Sequence, residues 1–130
     1  MDIKKVKNYW LEEAEDALRV MHHLFESGDY SYALFFGHLA IEKIIKAVYV
    51  IRKGEHAPYS HNLQNLAELA YIELTEDQRA KLVKITEFNI KTRYPDQERI
   101  FRKKCTENFT RQEIKQIEDI FTWLKSLIQT

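Results

Sequence analysis

The sequence predicts an all-α protein, an up-and-down bundle of four main helices and one short helix. Three observations predict it. Apolar residues recur at helical spacing through most of the 130 residues. Gly 3 and Pro 2 are too few for the tight turns of a strand-rich fold. And one stretch, Tyr30 to Arg52, is apolar on most sides of a helical wheel. A helix of that kind has to be covered on most sides, so it belongs at the centre of a bundle.

Each element has its own signal. Residues Ile3 to Ser27 form the first helix, with Val6, Trp10, Ala14, Ala17, Leu18, Met21, Leu24 and Phe25 in one stripe. Ser27-Gly28-Asp29 stops it, because glycine tolerates the positive φ found just past a helix end. So short a link turns the second helix back antiparallel to the first. On the second helix Ala33, Leu34, Gly37, Ala40, Ile41, Ile44, Ile45, Ala47, Val48 and Ile51 share an apolar side. His38, Glu42, Lys43 and Lys46 fall in an opposing arc of roughly 140°, together with Tyr32, Phe35, Leu39 and Tyr49.

The segment from Lys53 to His61 holds a glycine and a proline and reads as a loop. Asn62 caps a short helix through Tyr71, with Leu63, Leu66, Leu69 and Ala70 inward. Thr75-Glu-Asp-Gln78 opens a further helix of about fifteen residues by a capping box, with Leu82, Val83, Ile85 and Phe88 inward. Pro95 ends it by pushing Tyr94 out of the helical region. Asp96 to Phe109 lacks periodicity and is expected to be mostly loop. A second capping-box pattern, Thr110-Arg-Gln-Glu113, marks the last helix through Leu127, with Ile114, Ile117, Phe121, Leu124 and Ile128 inward. Residues 1–130 make one domain, long enough for one core.

Composition narrows the function. Twenty basic against twenty acidic residues leave no net charge to draw in nucleic acid or an anionic membrane, so such binding needs a local patch. No run of about 18 uncharged apolar residues exists, and MDIKKVKNYW lacks the apolar core of a signal peptide. The expectation is a cytoplasmic protein that does not span a membrane. A single cysteine, Cys105, fits a reducing compartment and is expected to be a passive thiol. The five histidines form no zinc signature, so no metal or cofactor is expected.

Three groups of residues remain for function. His38, Glu42 and Lys46 stand four apart and can be cross-linked along the second helix. With Tyr32, Phe35, Leu39 and Tyr49 on the same side, that arc is either a dimer interface or cleft wall, or a solvated face stitched by weak pairs. Arg93-Tyr94-Pro95-Asp96 places a guanidinium fork and an aromatic ring on a rigid turn, suited to a phosphate and a base. Its plainer reading is a helix stop with a surface Arg–Asp pair. From Lys91 to Lys104, six basic residues outnumber Asp96 and Glu98, a patch able to hold a phosphate backbone.

Trp10, Ala14, Asp16, Gly28-Asp-Tyr30, Ala33, Phe36, Ala40, Ile41-Glu42-Lys43, Lys46-Ala47, His61-Asn-Leu63 and Arg93-Tyr94-Pro95-Asp96 together resemble the HEPN (higher eukaryotes and prokaryotes nucleotide-binding) domain, from about Lys5 to Leu127. The resemblance implies a helical bundle that usually forms a homodimer. It also implies a minimal nucleotidyltransferase partner encoded nearby, in a two-component or toxin–antitoxin module. Many members are metal-independent ribonucleases using an arginine followed, after four to six residues, by a histidine. Arg93 matches that arginine, but no histidine follows His61, so the motif is incomplete.

The leading expectation is a dimeric nucleotide- or RNA-binding module. Its ligand-binding residues would be Arg93, Tyr94, Asp96, Lys46 and Lys43, with Tyr32, Phe35, His38, Leu39, Glu42 and Tyr49 as dimer or cleft face. One alternative is an altered ribonuclease in which His38 or Asp96 replaces the missing histidine. The other is a subunit that only binds another protein.

Overall fold

Six helices make up the chain in the computed structural model, which describes residues 1–128: α1 (Ile3–Glu26), α2 (Tyr30–Lys53), α3 (Leu63–Leu69), α4 (Glu76–Arg93), α5 (Pro95–Lys104) and α6 (Glu107–Ser126). The last two positions of the predicted domain lie outside the described residues. No strand occurs among the described residues, and α2 packs against all five other helices.

The ends of α1 and α2 are set as their sequences require. Asp2 caps α1 by accepting from the Lys5 N–H, and Gly28 at φ +82° carries the chain out of it. Gly54 at φ +65° ends α2, its N–H donating to the Val50 carbonyl. Lys43 pairs with Glu13, and one turn on Lys46 lies over Trp10, so α1 and α2 run antiparallel. Along α2, Leu34, Ile41, Ile44 and Ile45 are fully buried. Burial of each such side chain contributes about 1.5–3 kcal/mol. Gly37 faces α6 closely enough that Ile117 and Met21 fill the space a side chain would take.

Several expectations change. Asp96 to Phe109 is not mostly loop: Tyr94 takes the extended conformation forced by the following proline, and Pro95 then starts α5 as its first residue. Acids in the first turn of α5 and Arg102, Lys103 and Lys104 in its last turn match the helix dipole. The periodic signal was absent because Phe101 alone on this helix is buried, stacked on Phe88 of α4. The last helix starts earlier than the Thr110 pattern indicated. Thr106 is its cap, accepting from the Phe109 N–H, and Thr110 is buried inside it. Leu69, Val83 and Ile51 are exposed instead of inward. The helices carrying them present a narrower apolar stripe to their neighbours than the residue types suggested.

α3 also ends without the usual glycine. Tyr71 adopts φ +61° just past its end, and the Ile72 N–H closes back to the Ala67 carbonyl. Arg52 donates to the Tyr71 carbonyl and Lys53 to its hydroxyl, holding the left-handed residue from α2.

The closeness at Gly37 is testable. An alanine Cβ would lie 2.5 Å from Ile117 Cδ1 and 3.1 Å from Met21 Sδ. Crowding of this kind costs about 1–3 kcal/mol, against a helix-propensity gain of up to about 1 kcal/mol. Gly37→Ala should therefore lose about 1 kcal/mol in urea denaturation. Adding Ile117→Val, which removes Cδ1, should make the pair less costly than the sum of its single changes. Strict additivity would show that the two residues do not crowd.

Candidate functional site

The polar arc of α2 is buried by the chain itself. His38 is fully buried, and Glu42, Lys46 and Tyr49 are nearly so. What covers it is Trp10 of α1, the loop ending at His61, and Asn89 of α4. Each polar group is answered. His38 Nε2 lies 3.0 Å from the His61 carbonyl oxygen, and its Nδ1 lies 3.4 Å from Asn89 Nδ2. Asn89 Oδ1 accepts from Arg93 at 3.3 Å. On the other side His61 Nδ1 lies 2.7 Å from Glu42 Oε1, and Glu42 Oε2 accepts from Lys46 at 3.2 Å. The Lys46 ammonium sits 4.8 Å from the centroid of the Trp10 ring.

The polarity of this chain of bonds has one solution when His38 is neutral. The His61 carbonyl can only accept, so His38 donates from Nε2 and accepts at Nδ1. Asn89 must then offer its NH2 to His38, which leaves its oxygen for the Arg93 guanidinium, a group that can only donate. Burial holds the His38 pKa below its ordinary 6.5, and the neighbouring Arg93 charge pushes the same way. The His61 carbonyl and Glu42 act in the opposite direction but do not prevail. A neutral His38 thus keeps the Asn89 amide turned toward Arg93.

Arg93 itself is exposed, at the C-terminal end of α4. Among the described ion pairs it has no carboxylate, whereas Arg19, Arg79, Arg102 and Arg111 each have one. Its cation is aimed by a neutral amide and has no counter-charge among the described residues. Tyr94 beside it is 54% exposed, enough for a ring face to take a stacked partner. Asp96 is exposed in the first turn of α5 and makes no described pair with Arg93.

The predicted ligand set therefore divides. Arg93 and Tyr94 are adjacent on the surface. Lys46 connects to Arg93 only through the buried network and is itself committed to Glu42 and Trp10. Lys43 faces α1, paired with Glu13 at 3.8 Å. The predicted face divides too. His38, Glu42 and Tyr49 are covered within one chain, Tyr49 by Glu55 at 2.9 Å. Tyr32 stays 43% exposed, its hydroxyl on Glu98 of α5, and Phe35 and Leu39 are half-buried.

His61 and Asn89 are the residues that sequence reasoning left without a role. Both reach the α2 network through tertiary packing, across nineteen positions from Glu42 to His61 and fifty-one from His38 to Asn89. The signals available were His61-Asn-Leu63 in the family resemblance and the helical spacing of Asn89 and Arg93, four apart. Ligand-type atoms of His38, Glu42 and His61 lie within 4.8 Å of one another, a grouping that could hold a metal ion. Every one of these groups already has a hydrogen-bond partner, and Lys46 supplies the cation next to Glu42. The cluster is built as a hydrogen-bonded network. Cys105 lies elsewhere, buried, its thiol pushed up to about 11 by burial, which leaves it a poor nucleophile.

A family model described as HEPN domain matches residues 8–127 of the chain. Among solved structures the chain is similar to TT1696 from Thermus thermophilus. The two are 22% identical, with a TM-score of 0.78, over 93% of this chain and 97% of that one. That likeness is one of fold. No curated protein matches the chain.

The neutral His38 predicts a pH dependence. In the unfolded chain it takes a proton as pH falls through about 6.5, while in the fold it resists doing so. Its stabilising contribution is complete above that pH and is lost as pH falls below it. The drop in Tm between pH 7.5 and 5.5 should accordingly be smaller in His38→Gln than in the wild type. Equal slopes would mean that His38 is not held neutral.

Proposed function

This chain belongs to the HEPN domain family, and we propose that it is a dimeric module that holds a nucleotide or RNA phosphate at Arg93, working beside a minimal nucleotidyltransferase. The observation that carries this reading is the state of the Arg93 side chain. It is exposed, has no carboxylate partner among the described residues, and is oriented by Asn89 from inside the core. A guanidinium presents a planar fork of donors that fits phosphate oxygens, and fixing it in advance lowers the cost of binding. Tyr94, next in the chain, offers a base a face to stack on. Lys46 and Glu42 contribute by orienting His61 and His38, and Lys43 by holding α1.

A dimer would form through the part of the α2 arc that the chain leaves uncovered, at Tyr32, Phe35 and Leu39. The partner enzyme rests on family membership alone. The ribonuclease reading in which His38 replaces the missing histidine is disfavoured by its full burial and by the engagement of both ring nitrogens. Such a side chain has no nitrogen left to meet a substrate. Asp96, the other candidate, makes no described contact with Arg93.

Arg93→Ala should weaken binding of ATP, and of a short single-stranded RNA, by at least about tenfold, the loss of one charge-assisted pair. Its circular dichroism should be unchanged, because Arg93 is exposed. Asn89→Leu should reduce the affinity less, as a change in orientation only. If Arg93→Ala binds both ligands as the wild type does, the site is not at this turn. Sedimentation of the wild type is expected to give a dimer that Tyr32→Asp together with Phe35→Asp converts to monomer.

A further inference from the structure

The outer end of the network carries an arrangement that phosphate binding at Arg93 does not use. Tyr59 stands 85% exposed on the loop between α2 and α3, and its hydroxyl lies 3.0 Å from His61 Nε2. His61 Nδ1 lies 2.7 Å from Glu42 Oε1. Glu42 is buried and takes the Lys46 ammonium on Oε2 and His61 Nδ1 on Oε1, both as acceptor. A neutral imidazole that donates from Nδ1 to this carboxylate turns its Nε2 lone pair to the phenol O–H. Hydroxyl, imidazole and buried carboxylate in series are the arrangement by which a weak nucleophile is activated.

The other tyrosines are bonded differently. Tyr32 and Tyr49 donate to the carboxylates of Glu98 and Glu55, whose negative charge opposes a phenolate. That opposition shows as a raised pKa at Tyr49. The Tyr71 hydroxyl accepts from Lys53. Among the described residues Tyr59 is the tyrosine bonded to an imidazole. At 85% exposure it has no walls to select a substrate of its own, so it suits the role of acceptor. No lysine or arginine is described as bonded to Tyr59 or His61, and a polyanionic phosphoryl donor would lack a counter-charge there.

We propose that Tyr59 is a covalent acceptor site for acyl groups, esterified on its phenol by an activated acyl donor of the aryl ester or thioester class. Tyr59 Oη attacks the acyl carbonyl carbon while its proton passes to His61 Nε2. The tetrahedral adduct then expels the aryloxide or thiolate, which takes the proton from His61. The product is a tyrosyl ester, the phenolic proton having passed by way of His61 to the leaving group.

The full chain treated with p-nitrophenyl acetate and mapped by peptide mass spectrometry tests this. Tyr59 should be acetylated on the order of 10²-fold faster than the exposed Tyr9, Tyr71 and Tyr94 of the same molecule, the low end of what a positioned general base supplies. Its rate should level off with rising pH well before theirs, since an unassisted phenol ionises near about 10 and the Glu13 hydrogen bond raises the Tyr9 pKa further. His61→Gln should bring Tyr59 down to the rate of the other three while leaving theirs unchanged, and those three also report whether the fold is intact. The proposal is overturned if Tyr59 reacts no faster than they do, or if Tyr59→Phe keeps the fast release of p-nitrophenolate. The latter would place the nucleophile at His61 itself.

Discussion

A charged pair can be buried in a helical core only if the rest of the chain comes to meet it, and in this protein Glu42 and Lys46 impose that requirement. They lie one turn apart on α2, the helix every other helix touches, and both are almost wholly out of water. Leaving either charge unanswered would cost about several kcal/mol. Their mutual ion pair, the Trp10 ring over the ammonium and the His61 imidazole on the carboxylate answer them. The position of α1 at Trp10 and the path of the chain after α2 both follow from this demand. A loop that carries glycine, proline and no apolar run is pinned at His61 because a buried acid needs its ring.

The same demand couples the inside of the molecule to its surface. His38, one turn before Glu42, is tied to the backbone of that loop and to Asn89 on α4, and Asn89 is tied to Arg93. Hydrogen-bond polarity runs in one direction from a carbonyl oxygen that only accepts to a guanidinium that only donates. Such a chain has little freedom to rearrange, because reversing one amide would set donor against donor at Arg93. The orientation of the exposed arginine is thereby decided by groups that no solvent reaches. α5 follows immediately, started by Pro95 and anchored by Phe101 on Phe88, so Tyr94 is held between two helices and not on a free turn.

The two ends of the network differ in chemistry. At α4 it ends in a cation with no carboxylate partner among the described residues, beside an exposed ring. At the loop it ends in a phenol set against a base. One suits a bound anion and the other a covalent bond, and both rest on the hydrogen bonds of His38 and His61 between them. HEPN membership describes the scaffold on which both ends are mounted.

Much of this was legible in the sequence, and for a physical reason. Helix periodicity, capping residues and the apolar completeness of α2 are local properties, so the all-α class, the central helix and four of the helix starts could be read from neighbours in the chain. Arg93 and Tyr94 were marked as a site for the same reason, since Pro95 constrains the residues just before it. α5 was not legible, because a helix that buries only Phe101 of its ten residues leaves no periodic trace. The assembly of His61, Asn89 and Arg93 around His38 and Glu42 was not legible either. Its bonds to His38 and Glu42 span nineteen to fifty-one positions, and no local pattern encodes which distant partner will satisfy a buried polar group. That choice was made by packing, once α2 had to be covered on all sides with its charges inside.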